Sequence, residues 1–368
     1  MEFIDLKSQY HSLKSQIDCG ISRVLEHGQF IMGPEIKDLE SALCSFVGVK
    51  HCISVSSGTT SLEIALRALN IGPSHEVITV PFTWISSAET INLVGAKPVF
   101  VDIEPETYNI DVEQIEAVIS PATKAIVPVS LFGQMPKMER LNEIAAKHGI
   151  PVIEDAAQSF GASRHGRKSC AVSTISSTSF FPAKPLGCYG DGGALFTDDD
   201  ELAARMRAIR THGGTARHHH TLIGTNGRMD TLQAAIVLAK LPSFSSEVLR
   251  RGEIGALYSE LLKDVCITPA IDLGNTHVYA QYTIRVPDRD VLGASLKEQG
   301  VPTAVYYPKC LHEQPVYAYL GYKWGEFPNC EQASRAVISL PMHPFLSDKD
   351  VKLIVSHVKS SLRSTRNI

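Results

Sequence analysis

Between residues 51 and 200, short apolar runs alternate with stretches whose apolar positions recur every three to four residues. The first kind has the length and β-branched content of buried strands; the second has the period of amphipathic helices. Strands are expected over Cys52–Val55, Val77–Val80, Pro98–Val101, Ala125–Val129, Val152–Glu154, Thr174–Phe181 and Ala194–Thr197. Between them, helices are expected over Leu62–Leu69, Ser86–Leu93, Val112–Ile119 and Met138–His148. This alternation argues for an α/β fold built on a mainly parallel, doubly wound sheet. Sheets of this kind bind ligands at the carboxyl ends of their strands.

The flanks are different. A helix-like segment, Asp5 to His27, leads in, and Pro34-Glu35 after Gly33 opens a second helix with proline at its first position. Past a helix around Thr231–Lys240 come a long helix, Ser245 to Leu262, strand-like Tyr282–Val286, a helix at Val291–Gly300, strand-like Ala304–Tyr307 and a last helix, Ser347–Leu362. The expected organisation is a large domain over residues 1–243 and a small α+β C-terminal domain over residues 244–368, ending in a solvated basic tail from Lys359.

Composition narrows the function classes. A chain of 368 residues, 44% hydrophobic and 20% charged, can bury a large core and is expected to be soluble. A net charge of -4 makes no electrostatic case for nucleic acid. Apolar runs fall short of the roughly 20 residues of a membrane span, and Met1-Glu2-Phe3-Ile4-Asp5 does not read as an export signal. A cytoplasmic protein is expected. The eight cysteines contain no CxxC pair, a reduced pattern in which neither a disulfide framework nor a zinc site is expected. His218-His219-His220 cannot all face one ion on a regular element, so a polar loop is expected there and no metal.

The candidate chemistry lies at two strand ends. Asp155 closes the run Pro151-Val152-Ile153-Glu154-Asp155, and Lys184 follows Thr178-Ser179-Phe180-Phe181 just before the glycine-rich stretch Gly187 to Gly193. Taken alone, such a pair means an ordinary ion pair or two unrelated surface residues. Held together at buried strand ends, they suit pyridoxal phosphate, which needs a lysine for its Schiff base and an acid to keep its ring nitrogen protonated. Ser56-Ser57-Gly58-Thr59-Thr60-Ser61, between a strand and a helix, has the small and hydroxyl residues that leave backbone N–H groups free for a phosphate. Ser179 is placed to add a hydroxyl to that phosphate. Trp84 is either a core residue or a stacking face for the ring. Cys188 is expected to be a buried, inert thiol.

Gly58-Thr59, Trp84, Glu154-Asp155-Ala156-Ala157-Gln158, Ser179-Phe180-Phe181-Pro182-Ala183-Lys184 and Gly224-Thr225-Asn226-Gly227-Arg228-Met229-Asp230 resemble, in order, the motifs of the DegT/DnrJ-type nucleotide-sugar aminotransferases. The resemblance spans essentially the whole chain. It is strongest to the bacterial UDP-2-acetamido-2-deoxy-ribo-hexuluronate 3-aminotransferases, through Glu154–Ala162, Pro185–Gly193, Asp230–Ala235, Val278–Tyr282 and Val301–Val305. It implies the fold type I architecture, pyridoxal 5'-phosphate as cofactor, L-glutamate as amino donor, a nucleotide-linked keto-sugar as acceptor, a role in O-antigen biosynthesis, and a homodimer with shared active sites.

It also implies residue roles. Lys184 carries the cofactor, Asp155 pairs with the ring nitrogen, Gln158 sits by the ring and Trp84 stacks on it. Gly58, Thr59 and Ser179 hold the phosphate, with Asn226 reaching it from the partner subunit. Arg228, Tyr306 and Tyr307 contact substrate. Two positions depart from the subgroup: Ala183 stands where a serine often precedes the lysine, and Tyr306 where a histidine is usual. The second leaves a 4-keto-6-deoxy nucleotide sugar open as the alternative substrate. A dehydratase is disfavoured because family dehydratases tend to replace the lysine with histidine. A non-catalytic regulator would be expected to have lost Asp155, Lys184 or Ser179.

Overall fold

The computed structural model describes residues 1–366. Every expected strand of the central region forms: β1 (His51–Val55), β2 (Glu76–Thr79), β3 (Lys97–Phe100), β4 (Thr123–Ile126), β5 (Ile153–Asp155), β6 (Ile175–Ser179) and β7 (Gly193–Thr197). β3, β2 and β4 pair in parallel, as do β5 and β6, while β7 runs antiparallel between β6 and β1. Parallel bridges Ile126–Val152 and Val129–Asp155 join the two groups. The result is one sheet in the order β3-β2-β4-β5-β6-β7-β1, mainly parallel as expected.

Its strands are apolar runs rather than alternating ones because both faces are covered. β5, Ile-Glu-Asp, and β6, Ile-Ser-Ser-Thr-Ser with only Ser179 partly open, are exceptions. The buried hydroxyls of β6 are satisfied from the sheet and a flanking helix: Ser177 by Ser61, Ser176 by Glu154 at 3.4 Å, and Thr178 by the Ala156 carbonyl at 3.2 Å. A polar strand can therefore occupy a central position without orphaned groups.

The leading segment is two helices, α1 (Leu6–Ser12) and α2 (Lys14–His27), not one. The chain leaves helical angles at Leu13 (φ -114°, ψ 14°), whose side chain packs with Ile17 and Ile236. α3 (Pro34–Val47) starts on Gly33 with Pro34 at its first turn, as expected. α4 (Gly58–Ala68), α5 (Ser86–Leu93), α6 (Met138–Lys147) and α7 (Asp200–Arg210) flank the sheet. Val112–Val118 is shorter and tighter than expected, a 3-10 turn running into one helical turn.

Two further expectations need correction. The helices foreseen around Thr231–Lys240 and over Ser245–Leu262 are one helix, α8 (Thr231–Leu262), which continues through Pro242. Proline removes one backbone bond, but burial of Val237, Lys240 and Phe244 on either side holds the helix together. The division after residue 243 thus falls inside an element that carries the chain from the large sheet to the second core. Ala304–Tyr307 is not a strand; only Ala304 bridges, to Ser339. Pro302 and Pro308 bracket that run and withhold the donors a strand needs.

The C-terminal part is α+β. β8 (Tyr282–Arg285) pairs antiparallel with β9 (Val337–Leu340), and the end of α8, α9 (Arg289–Glu298) and α11 (Asp348–Arg366) pack on them. Ile254, Tyr258, Ile284, Leu296, Ile338 and Val355 form its core. α10 (Pro328–Ala336) leads into β9. The expected tail from Lys359 is helical to Arg366, and residues 367–368 lie outside the described residues. Among the described residues no helix is long and apolar enough to cross a membrane.

The segment after β5 is anchored by Phe160, which stacks with Phe46 at 5.4 Å, Phe244 at 5.8 Å and Phe196 at 6.0 Å between ring centroids. Phe160→Ala should lower the unfolding free energy by about 3–5 kcal/mol, read as a shift of the denaturant midpoint. A change under about 1 kcal/mol would mean that the surrounding rings close the void.

Candidate active site

The carboxyl end of β5 sets the floor of the site. Asp155 is 6% exposed there and accepts hydrogen bonds from Ser87 Oγ at 2.8 Å and from the Ala157 N–H at 3.2 Å. Burial raises its carboxyl above the usual range, while Ser87, Ala157 and the charge of Lys184 pull it back down. A carboxylate buried with two neutral donors and one nearby amine still favours a further cation beside it. Glu154, one residue earlier, points to the opposite face, as the period of a strand requires. There it accepts from Ser130, Ser169 and the Cys170 N–H at 2.9, 2.7 and 2.9 Å.

Lys184 sits in the turn that follows β6, its N–H bonded to the Phe181 carbonyl at 2.9 Å. Part of its surface stays open to the cleft. The protein around it lowers its ammonium below the usual range, and Asp155 opposes that shift. An amine shifted downward is more readily the neutral nucleophile and proton carrier.

A polar and aromatic wall stands over Asp155. Gln158, buried, accepts from the Phe132 N–H at 2.9 Å and donates to the Tyr307 hydroxyl at 3.2 Å, which fixes its amide. Tyr307 meets Phe82 edge-on at 6.2 Å and Trp84 at 6.2 Å with a 40° tilt, and Tyr306 lies against it at 5.7 Å. Trp84 is 58% exposed, so a large part of its indole surface is open. Burial, followed by the charge of Asp155, raises the Tyr307 phenol; the Gln158 contact opposes it.

At the other end lies the start of α4. Ser57 caps it, accepting from the Thr60 N–H at 3.0 Å, and the Thr59 hydroxyl meets Ser86 Oγ at 2.8 Å. The backbones are pressed together here. A Cβ on Gly58 would lie 2.7 Å from Ser179 Cβ, and one on Gly193 would lie 2.6 Å from the Ser57 carbonyl carbon. Ser179 Oγ accepts from the Phe181 N–H at 3.2 Å, which leaves its own hydrogen to donate. Free N–H groups at the helix start with a hydroxyl opposite make an anion cradle. The cradle for an anion, the buried carboxylate for a ring cation and the lysine for a carbonyl together fit pyridoxal phosphate.

The structure therefore gathers Gly58, Thr59, Trp84, Asp155, Gln158, Ser179, Lys184, Tyr306 and Tyr307 around one cleft. Asn226 and Arg228 enter by a separate segment. The Gly227 carbonyl accepts from Ser56 N–H at 2.9 Å, which lays the segment beside the cradle. Asn226 is exposed, and Arg228 is half-buried with its Nε shielded and unpaired. Ser86, Ser87 and Gly193 escaped sequence reasoning; two serines in a first helical turn read as ordinary capping residues, and one glycine among several carries no mark. His218, His219 and His220 are exposed on a short hairpin, with His220 Nδ1 bonded to the His212 carbonyl at 2.9 Å. Cys188 is buried, its thiol held by the Phe180 and Gly190 carbonyls at 3.0 and 3.1 Å.

The model of the DegT/DnrJ/EryC1/StrS aminotransferase family matches residues 12–359. The chain belongs to that family. It is 54% identical over 355 residues to the UDP-2-acetamido-2-deoxy-3-oxo-D-glucuronate aminotransferase of Pseudomonas aeruginosa, covering 96% of this chain and 98% of that one. It is 45% identical over 364 residues to a pleiotropic regulatory protein of Geobacillus stearothermophilus, covering 98% of each. Among solved structures, DesV of S. venezuelae superposes with a TM-score of 0.96 at 36% identity, covering 98% of both chains. NtdA of Bacillus subtilis with bound cofactor PMP superposes with a TM-score of 0.89 at 28% identity, covering 98% of this chain and 83% of that one.

Ser87 is the stronger of the two neutral donors that hold the Asp155 carboxyl down against burial. Ser87→Ala should cost about 1.5–3 kcal/mol, the worth of a hydrogen bond to a charged group, and lower kcat/KM by about 10- to 100-fold. The lost bond had held the carboxyl down, so its removal shifts Asp155 upward and the acid limb of the pH–rate profile moves to higher pH. An unmoved acid limb would show that Asp155 does not control it.

Proposed function

We propose that this enzyme transfers the amino group of L-glutamate to the 3-keto group of a UDP-linked N-acetyl-hexuluronate, in the biosynthesis of a surface polysaccharide such as O-antigen. That it is an aminotransferase acting on nucleotide sugars follows from its family and relatives. Its cofactor is pyridoxal phosphate, in keeping with the PMP bound by NtdA. The observation that carries the finer substrate is the likeness to the Pseudomonas enzyme, extending through nearly the full length of both chains. Reduced cytoplasm is the compartment that suits eight free cysteines, five of them buried.

When bound, the cofactor supplies an electron sink that lets a proton leave the amino acid Cα. The residues supply the rest. The N–H groups at the start of α4, with Thr59 and the Ser179 hydroxyl, bind the phosphate and fix the orientation of the ring. Asp155 holds the proton on the ring nitrogen, where a neutral group would lose it. Lys184, its ammonium lowered by burial, takes the Cα proton through Nζ and returns it on the other side of the transfer. Gln158 and Tyr307, bonded to each other, would brace the ring, and the open indole surface of Trp84 would shield it from water. Arg228, with a shielded and unpaired Nε, neutralises the substrate carboxylate in a partly buried pocket.

Two substrate readings compete, and the sugar acid is what separates them. Against a panel of UDP- and dTDP-keto-sugars with glutamate, the UDP-3-keto-uronate should give the highest kcat/KM. Arg228→Ala should cost about 2–5 kcal/mol on that substrate, as when a buried charge loses its partner, and much less on a neutral 4-keto-6-deoxy sugar. Equal losses on both would assign Arg228 to the donor or the phosphate. A regulatory role, the one named for the Geobacillus relative, is disfavoured because Asp155, Lys184 and Ser179 are all kept around one cleft.

The site is proposed to be completed by a second copy, with Asn226 reaching the partner's phosphate cradle and Arg228 the partner's substrate pocket. Phe30, Ile31 and Met32, exposed by 48%, 49% and 42%, lie beside the start of α8 and offer an apolar face for it. Mixing Lys184→Ala chains with Arg228→Ala chains should restore about a quarter of wild-type activity, since half the dimers are hybrid and each has one intact site. No recovery after demonstrated subunit exchange would mean that each chain builds its own site.

A further inference from the structure

Away from the cleft, Cys310, His312 and Cys330 come together in the core between the large sheet and the 3-10 turns Leu311–Glu313 and Pro315–Leu320. The two thiol sulfurs and a ring nitrogen of His312 all lie within 4.8 Å of one another. Cys310 and Cys330 are 0% exposed and His312 is 6% exposed. His312 Nε2 is engaged by Glu331 Oε1 at 3.2 Å, while its Nδ1 is buried without a hydrogen-bond partner. A buried imidazole nitrogen with no partner in the protein, here as at His343 Nδ1, is a cost that a ligand would remove.

We propose that Cys310, Cys330 and His312 Nδ1 bind one soft, thiolate-preferring divalent cation, zinc in practice, as a structural site apart from the catalytic cleft. Tetrahedral zinc separates sulfur and nitrogen ligands by about 3.5–3.8 Å, a spacing that the cluster accommodates within its 4.8 Å limit. Two thiolates neutralise the ion, so the site adds no net charge to the core. On binding, each thiol gives up its proton to solvent and the ion takes the sulfur lone pair. A water molecule completes the tetrahedron.

The surroundings are those of a built metal site. The Glu331 carboxylate on His312 Nε2 has the carboxylate–histidine–metal arrangement that fixes the ring and leaves the other nitrogen for the ion. Glu331 is itself held by the Gly325 N–H at 2.8 and 2.9 Å. Both cysteine backbones are pinned by acids, Cys310 N–H by Glu313 at 3.0 Å and Cys330 N–H by Asp102 at 3.0 Å. The site would tie α10 to the turn that begins at Cys310. That turn bonds through Leu311 N–H to the Pro81 carbonyl at 2.7 Å, just ahead of Trp84. A Cys310–Cys330 disulfide would use the sulfurs but leave Nδ1 orphaned, and the geometry favours the ion.

The test uses reduced, desalted holoenzyme after incubation with zinc, with metal per chain read by mass spectrometry. Wild type and Cys19→Ser, whose cysteine is exposed, should hold about one zinc per chain, and Cys310→Ser and Cys330→Ser under about a tenth of that. Glu331→Gln should weaken zinc binding by about 10- to 100-fold. Should the cysteine variants not fold, cobalt loading of the wild type decides the matter. A thiolate-to-cobalt charge-transfer band and a rise in Tm on metal addition support the site. Metal-free wild type with no cobalt band, unchanged zinc in the folded cysteine variants, or a Cys310–Cys330 disulfide peptide isolated under non-reducing conditions would each overturn it.

Discussion

A carboxylate buried at the end of a parallel strand is the constraint from which the cleft is organised. Asp155 is removed from water by the sheet itself, because β5 lies between β4 and β6 and its end is covered by α5. The protein supplies two hydrogen bonds and the charge of Lys184, and burial still wins, leaving the carboxyl shifted upward. Such a group is poorly solvated alone and well satisfied by a cationic ring. The fold thus carries part of the binding energy for its cofactor as an unmet electrostatic demand. The same burial acts in the opposite sense on Lys184, whose charge is disfavoured. One low-dielectric pocket therefore shifts an acid upward and an amine downward.

The anion end is set by steric closeness, not charge. Gly58 and Gly193 let β6, β7 and the start of α4 approach until no side chain fits between them. That closeness brings the N–H groups of α4 and the Ser179 hydroxyl to one point. With the two ends fixed by separate strands of one sheet, the spacing between the cradle and the Asp155 carboxylate is a property of the scaffold, as electrostatic preorganisation needs. Ser86 and Ser87 link the ends: one meets Thr59 at the cradle, the next meets Asp155 at the floor.

Much of this was legible in the chain. Strand-helix alternation gave the sheet because buried parallel strands are continuous apolar runs, and Asp155, Lys184 and Ser179 stand at the ends of such runs. What could not be read is what depends on contacts across long separations. Pro242 marks a helix break in the sequence, yet flanking burial carries α8 through it. Ala304–Tyr307 has strand composition, but the prolines on either side leave it a single bridge. Ser87 reads as a cap until α5 is placed against β5. Cys310 and Cys330 lie too far apart in sequence to suggest a common partner, and only the packing of α10 on the 3-10 turns brings them to one histidine.

The division of labour between the two cores follows from the same geometry. The chemistry is held by the large sheet, whose strand ends cannot move without breaking the sheet. Tyr306 and Tyr307 come instead from the irregular segment after α9, which reaches across from the second core and is anchored there by Ala304 on Ser339. Tyr307 is tied to the cofactor wall through Gln158. Tyr306, half-buried and touching Phe3 and Tyr307 through ring contacts alone, has no such tie. A side chain without a fixed hydrogen bond can be exchanged at little cost to the fold. Tyr306 can therefore change while Asp155, Lys184 and the cradle stay as they are, so this position is separable from the scaffold.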